Sequence, residues 1–198
     1  MNKRSHLAPP WQVSQWLNAS HPVTLDSLLG RVVVLHTFQM LCPGCVSHGL
    51  PQALRIHRLF PPERVAVIGL HTVFEHHAVM GPQALRVFLD EYRIAFPVGI
   101  DLAGTGSPVP LTMQAYGLRG TPSVVVFDQG GRVRLSHFGQ IDDLQLGAVI
   151  GQLMAEEQSQ ESSEADPPAA APVGQPAQAA VAAATPLHAT THVLRQVD

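Results

Sequence analysis

Cysteine is close to absent from this chain of 198 residues: there are two, Cys42 and Cys45. No second Cys-x-x-Cys exists to pair with any of the eleven histidines at a zinc-type spacing, so a structural metal site and a resident metal are not expected. Charge is equally thin, at 14% of residues, and the formal net of −3 is unevenly spread. Residues 155–198 hold six acids and Arg195 alone, a balance of −5, which leaves +2 on the rest. So mild and scattered an excess excludes nucleic acid as a partner. Long apolar runs are missing as well. Nothing approaches the ~18–20 residues that span a bilayer. The first residues, Met1 to His6, meet Pro9-Pro10 before any apolar segment, so no leader is expected. A cytoplasmic protein without a membrane partner is the expectation, and a dithiol there is kept reduced, with any disulfide transient. No internal repeat is present.

What the chain does have is concentrated between Leu35 and His48. The apolar β-branched run Val32-Val33-Val34 reads as a buried strand, and the residues after Cys45 read as a helix. Cys42 then stands at the strand-to-helix turn, with Pro43 in the first helical position, where a missing N–H costs nothing. Free N–H groups and the helix dipole favour negative charge there, so the Cys42 thiol is expected to ionise readily. A Cys-x-x-Cys behind a strand is the redox dithiol pattern.

Along the chain, residues 9–17 are expected to form a short helix with Trp16 and Val13 or Leu17 inward. Thr24 caps a single turn that Gly30 ends. The central strand spans 31–39, and the dithiol helix about 43–57, interrupted by Gly49 and Pro51. A strand over 64–70 leads into a polar loop with His71, His76 and His77. A helix from Pro82 carries Leu85, Phe88, Leu89 and Tyr92 on one stripe. Pro97 marks a short strand at a sheet edge or a strand start. A short helix follows near 111–116. Two β runs around Asp128-Gln129-Gly130-Gly131 make a hairpin, and a closing helix over 142–155 turns Leu146, Val149, Ile150 and Leu153 inward. Beyond it, five prolines and twelve alanines in 155–198 give composition unable to offset ordering entropy. The division is an N-terminal arm 1–19, a domain 20–155 and a disordered Ala/Pro-rich tail 156–198.

This order of strand, Cys-x-x-Cys helix, strand, helix, strand, then Gly120-Thr121-Pro122 opening a hairpin and a last helix, resembles the thioredoxin fold. That is an α/β fold, with a central mixed sheet flanked by helices. Within it the chain looks like the TlpA/ResA-type thiol-disulfide oxidoreductases and the related redoxin (AhpC/TSA) branch. The lead-in Leu25-x-x-Leu28-x-Gly30-Arg31-Val32-Val33-Val34 and the Asp128-x-Gly130-Gly131 turn fit as well. The resemblance implies a cis Pro122 packed against the dithiol and a Thr121 backbone that pairs with an extended partner peptide. The chain departs from the pattern at three places. Leu41 replaces the tryptophan before the first cysteine. His36 replaces the buried acid six residues before it, and is a candidate proton relay. Pro51 lies six residues after Cys45 instead of five.

The function expected is thiol-disulfide exchange without metal or organic cofactor. Cys42 attacks a disulfide of a protein or small-molecule substrate, Cys45 resolves the mixed disulfide, and a thiol reductase supplies electrons. Two alternatives belong to other classes. A peroxiredoxin-like thiol peroxidase would need Thr and Pro where Gln39 and Leu35 stand; Thr37 is two residues off, about 6.6 Å along a strand. A metal-binding or redox-gated module would join the two cysteines to His36, His48, His71, His76, His77 or His137 around a soft ion.

Overall fold

The computed structural model describes residues 8–164. Six strands, β1 (Val13–Leu17), β2 (Val32–Phe38), β3 (Val65–His71), β4 (Val98–Asp101), β5 (Ser123–Phe127) and β6 (Val133–Phe138), form a mixed sheet in the order β1-β4-β3-β2-β5-β6. β2, β3 and β4 run parallel, while β1, β5 and β6 are antiparallel to their neighbours. The helices are α1 (Leu50–Leu59), α2 (Pro82–Glu91), α3 (Leu111–Ala115) and α4 (Asp143–Glu164).

β2 and β3 are buried along their whole length because both sheet faces are covered. Alternation divides the β2 side chains between two cores. Val32, Val34 and Phe38 pack with Leu50, Leu85, Leu146 and Ile150 on one face. Val33 and Leu35 pack with Leu28, Ile68, Val125 and Phe127 on the other. Each such side chain contributes roughly 1.5–3 kcal/mol on burial, which fixes β2 as the axis from which the dithiol is hung.

Several expectations are corrected. Residues 13–17 form strand β1, not a helix, and pair antiparallel with β4. A helix that short has little stability of its own, whereas a strand sends Trp16 to one core and Leu17 to the other. The sheet therefore begins before residue 20. His71 is not in a loop but ends β3 with 1% of its surface exposed. Pro97 marks a strand start, since β4 lies between β1 and β3. Tyr92 caps α2 at 45% exposure, stacked on Phe88 at 4.4 Å. The closing helix runs on to Glu164, held at its start by Asp142 Oδ1, which accepts from the Leu144 and Gln145 N–H groups. The rest of the expected tail lies outside the described residues. No helix among them is long and apolar enough to cross a membrane.

Pro51 does not break the dithiol helix. Helical backbone runs from Pro43 to Leu59, with a π turn over Cys45–Gly49 closed by the Leu50 N–H donating to the Cys45 carbonyl. The wider turn takes in one extra residue, and proline is tolerated beside it because it has no N–H to place in the ladder. The extra residue matches the sixth position at which Pro51 stands.

Candidate functional site

Cys42 is the N-cap of the dithiol helix. Its carbonyl accepts the first helical bond, from the Val46 N–H at 3.1 Å, and its own N–H donates to the Gln39 carbonyl at 3.1 Å. Its Sγ accepts from the Cys45 N–H at 3.3 Å, the place a capping oxygen usually takes. Cys45, one turn in, is fully buried, whereas Cys42 is half-buried. Both are free, and the Cys45 S–H donates to Cys42 Sγ across 2.6 Å. Burial, first, and this sulfur contact push the Cys45 thiol up to about 12. A proton thus stays on Cys45 and is donated to Cys42 Sγ, which also faces the open N-terminal end of the helix.

Opposite the pair, the Thr121–Pro122 peptide is cis, as the resemblance implied. The Cys42 S–H meets the Thr121 carbonyl at 3.5 Å. Pro122 packs against the helix at two glycines one π turn apart. A β-carbon on Gly44 would lie 3.3 Å from Pro122 Cδ, and one on Gly49 would lie 3.1 Å from Pro122 Cβ. The ring therefore sits as close as it does because neither residue has a side chain. Gly49 was legible in the sequence only as a helix weakness; its contact with Pro122 is the part that sequence reasoning missed.

A groove of about 440 Å³ opens beside Cys42, lined by Leu41, Phe74, Met80, Thr121 and Phe138, with Glu75 and His76 at its side. Leu41 is 56% exposed and Phe138 46% exposed, so the residue before Cys42 forms an apolar lip. Arg119 lies over the Phe138 ring at 5.2 Å. Gln39, 1% exposed, uses its amide to hold the far wall: Nε2 donates to Glu75 Oε1 at 3.2 Å and Oε1 accepts from the Phe74 N–H at 3.2 Å. Thr37 is spent too, its hydroxyl donating to the Ser123 carbonyl at 3.3 Å. Neither is available to orient a peroxide.

His36 lies under the helix, on the sheet face of Val34 and Phe38. Its Nδ1 is 3.8 Å from the place a Gly49 β-carbon would occupy, and its Nε2 has no protein partner. Burial lowers its pKa to about 4, so the ring is neutral at pH 7. The ring lines a second cavity of about 180 Å³, with Pro122, His48 and Gln52 among its other walls. His48 is at the surface, bonded to Ser47 at 2.7 Å. His71 is buried against Phe38, at 5.3 Å between ring centroids, away from the sulfurs' hydrogen bonds. Among the described residues, no three His, Cys, Asp or Glu side chains gather closely enough to hold a metal ion.

An element that the sequence did not announce supports the site's outer frame. Asp101, buried at the end of β4, accepts from the Thr72 hydroxyl at 2.9 Å and from the Thr112 and Met113 N–H groups at 2.9 and 3.1 Å. Burial raises its pKa against these bonds. The carboxylate caps α3 and ties it to the loop after β3.

A cysteine N-cap, a buried partner one turn in and a facing cis-proline, on a sheet of this order, define a thioredoxin-type dithiol. Solved structures agree. A thioredoxin-like superfamily protein is 50% identical, with 76% of this chain and 97% of that one covered and a TM-score of 0.73. A thiol-disulfide isomerase from Corynebacterium glutamicum is 48% identical, with the same coverage and a TM-score of 0.73. StoA from Bacillus subtilis, at 18% identity over 69% of this chain and 91% of that one, with a TM-score of 0.53, shares the fold. No protein-family model and no curated protein matches the chain. The chain belongs to the thioredoxin-like superfamily, as a thiol-disulfide oxidoreductase.

Proposed function

We propose that Cys42 and Cys45 exchange disulfides with protein or small-molecule substrates, Cys42 attacking and Cys45 resolving. The observation that carries this is the asymmetry of the pair: a half-exposed sulfur that accepts an N–H and an S–H, next to a fully buried thiol that keeps its proton. Cys42 thiolate attacks one sulfur of the substrate disulfide, and the other sulfur leaves as a thiolate. Cys45 then loses its proton and attacks Cys42 Sγ, the second substrate thiolate departs, and a Cys42–Cys45 disulfide is left. A thiol reductase returns two electrons and two protons. The Thr121 backbone aligns an extended substrate beside Cys42, with Leu41 and Phe138 as the apolar border of the groove.

His36 acts in the second step. A neutral ring can take a proton on one nitrogen and release it from the other without residing as imidazolium. The cavity it lines with Pro122 gives that proton a polar route. The reading includes a reducing, cytoplasmic setting, in which the resting form is the dithiol.

The experiment is trapping. Cys45→Ser incubated with a disulfide-bearing protein such as insulin should accumulate a covalent complex that dithiothreitol releases, whereas Cys42→Ser should form none. Capture through residue 45 instead would reverse the assignment.

A further inference from the structure

At the start of β3, the far end from His71, lies a cavity of about 490 Å³ that disulfide exchange does not use. It exists because the sheet ladder stops there. The odd-numbered residues of β3 point their main-chain groups toward β4: the Gly69 N–H donates to the Pro97 carbonyl at 2.9 Å, in a register that sets Gly69 beside Val98. One step back, the Val67 carbonyl would take its bond from the N–H of residue 97, and proline has none. β4 accordingly starts at Val98, and the N–H and C=O of Val67 face the cavity with no strand opposite. The chain segment that passes here is instead held off by Asn18, whose Nδ2 donates to the Ile94 carbonyl at 2.6 Å and the Phe96 carbonyl at 3.4 Å.

The cavity has three kinds of wall. Leu28, Ala66 and Ile68 are buried, apolar and on one face of the sheet. Val67 adds an open donor and acceptor. Arg31 puts a positive charge on the rim, with His57 and His21 beside it, and no Asp or Glu lines the space. Arg31 donates to the carbonyls of Ser27, at 3.1 Å, and Pro62, at 3.5 Å, and takes part in none of the ion pairs among the described residues. Its charge is positioned without a carboxylate to meet it. The volume falls in the ordinary range for a small ligand, and the mix of apolar wall and few polar groups is that of a binding site.

We propose that this cavity binds a small N-acylated α-amino acid with an apolar side chain: its carboxylate on Arg31, its amide paired with the Val67 main chain, its side chain against Leu28 and Ala66. A short peptide C-terminus carries the same chemistry. The site is independent of the dithiol, so its test does not depend on the exchange reaction.

The probes are N-acetyl-L-leucine, its neutral carboxamide, 4-methylpentanoate, which keeps acid and apolar body but lacks the amide, and N-acetyl-Ala-Ala-Leu. Titration of the full chain followed by ¹H–¹⁵N NMR should move the Val67 amide resonance. N-acetyl-leucine should bind at least about tenfold more tightly than either incomplete analogue. Arg31→Gln should remove the preference for acid over carboxamide. Ala19→Phe, which fills the cavity from its wall without touching Arg31, should abolish binding, and both variants should keep wild-type disulfide exchange. If the tripeptide binds as tightly as the amino acid, peptide C-termini are the source; if it does not, free acylamino acids are. Equal affinity for acid and carboxamide, shifts confined to the Cys42 groove, or no shift at the solubility limit would overturn the proposal.

Discussion

Cys42 and Cys45 are three residues apart on one helix, share a hydrogen bond between their sulfurs, and live in opposite surroundings. Around Cys42 the donors point inward: the Cys45 N–H, the Cys45 S–H and the open helix end. Around Cys45 there is mainly hydrocarbon, with 0% of its surface exposed. The lesson is that the helix's direction divides the labour. A sulfur at its mouth gains the dipole and access to solvent; a sulfur one turn inside loses both, and becomes useful only once a substrate is already attached.

The contrast is broken most completely by removing either sulfur. Cys42→Ser should lower turnover of a disulfide substrate at least about a thousandfold, since the one cysteine left, Cys45, is buried and keeps its proton. Cys45→Ser should complete the first attack at a rate near wild type and then stall, as seen by stopped-flow and mass spectrometry.

Alkylation sharpens the comparison without mutation. With its proton held to about 12, only on the order of one Cys45 in 10⁵ is ionised at pH 7, so iodoacetamide should label Cys42 first by a wide margin. Labelling of Cys45 should keep rising beyond pH 10, which peptide mapping over a pH series would show.

The apolar surroundings of the inner half can be read in stability. His36 and His71 are both held neutral by burial, each lowered from 6.5 to about 4. As pH falls below 6.5 the unfolded chain takes up these protons and the folded protein does not. Stability should therefore be constant above about pH 7, fall between pH 6.5 and 4, and level off below, by roughly 3 kcal/mol per histidine at full titration. Urea unfolding across this range checks it. His36→Asn should flatten the slope by about half, and a slope unchanged by the variant would show that the ring carries its proton elsewhere.

The smallest effect expected is at the seam between the two halves. Gly49→Ala improves helix propensity but puts a methyl 3.1 Å from Pro122 Cβ. We expect a net loss of about 1 kcal/mol and slower first attack by Cys42, because Thr121 moves with the ring. A variant more stable than wild type with unchanged kinetics would show that Pro122 has room to spare.

Sequence reasoning reached furthest where the interactions are local. The β-branched run of β2, the proline after Cys42 and the Gly120-Thr121-Pro122 turn each signal their conformation within a few residues, and the site's centre follows from them. It failed where a partner is distant. Residues 13–17 become a strand because β4, more than eighty positions later, offers an edge. The charge state of His36 depends on what α1 and β5 lay over it. Asp101 looks like a strand end until α3 presents two N–H groups to it. The interruption expected at Pro51 could not be told from a widened turn, whose two ends, Gly44 and Gly49, meet Pro122 from across the site.

That π turn has a genetic corollary. An extra residue in a regular helix rotates everything beyond it by about 100°, which would swing Leu50, Ala53 and Ile56 out of the core. Here the insertion is absorbed within Cys45–Gly49, and the downstream face keeps its bearing. Deleting one residue at Ser47 or His48 is therefore a shortening that the fold can take: the turn would tighten to α, Pro51 would move to the fifth place after Cys45, and the hydrophobic face of α1 would stay seated. Length, usually the least negotiable property of a buried helix, is negotiable at this one point.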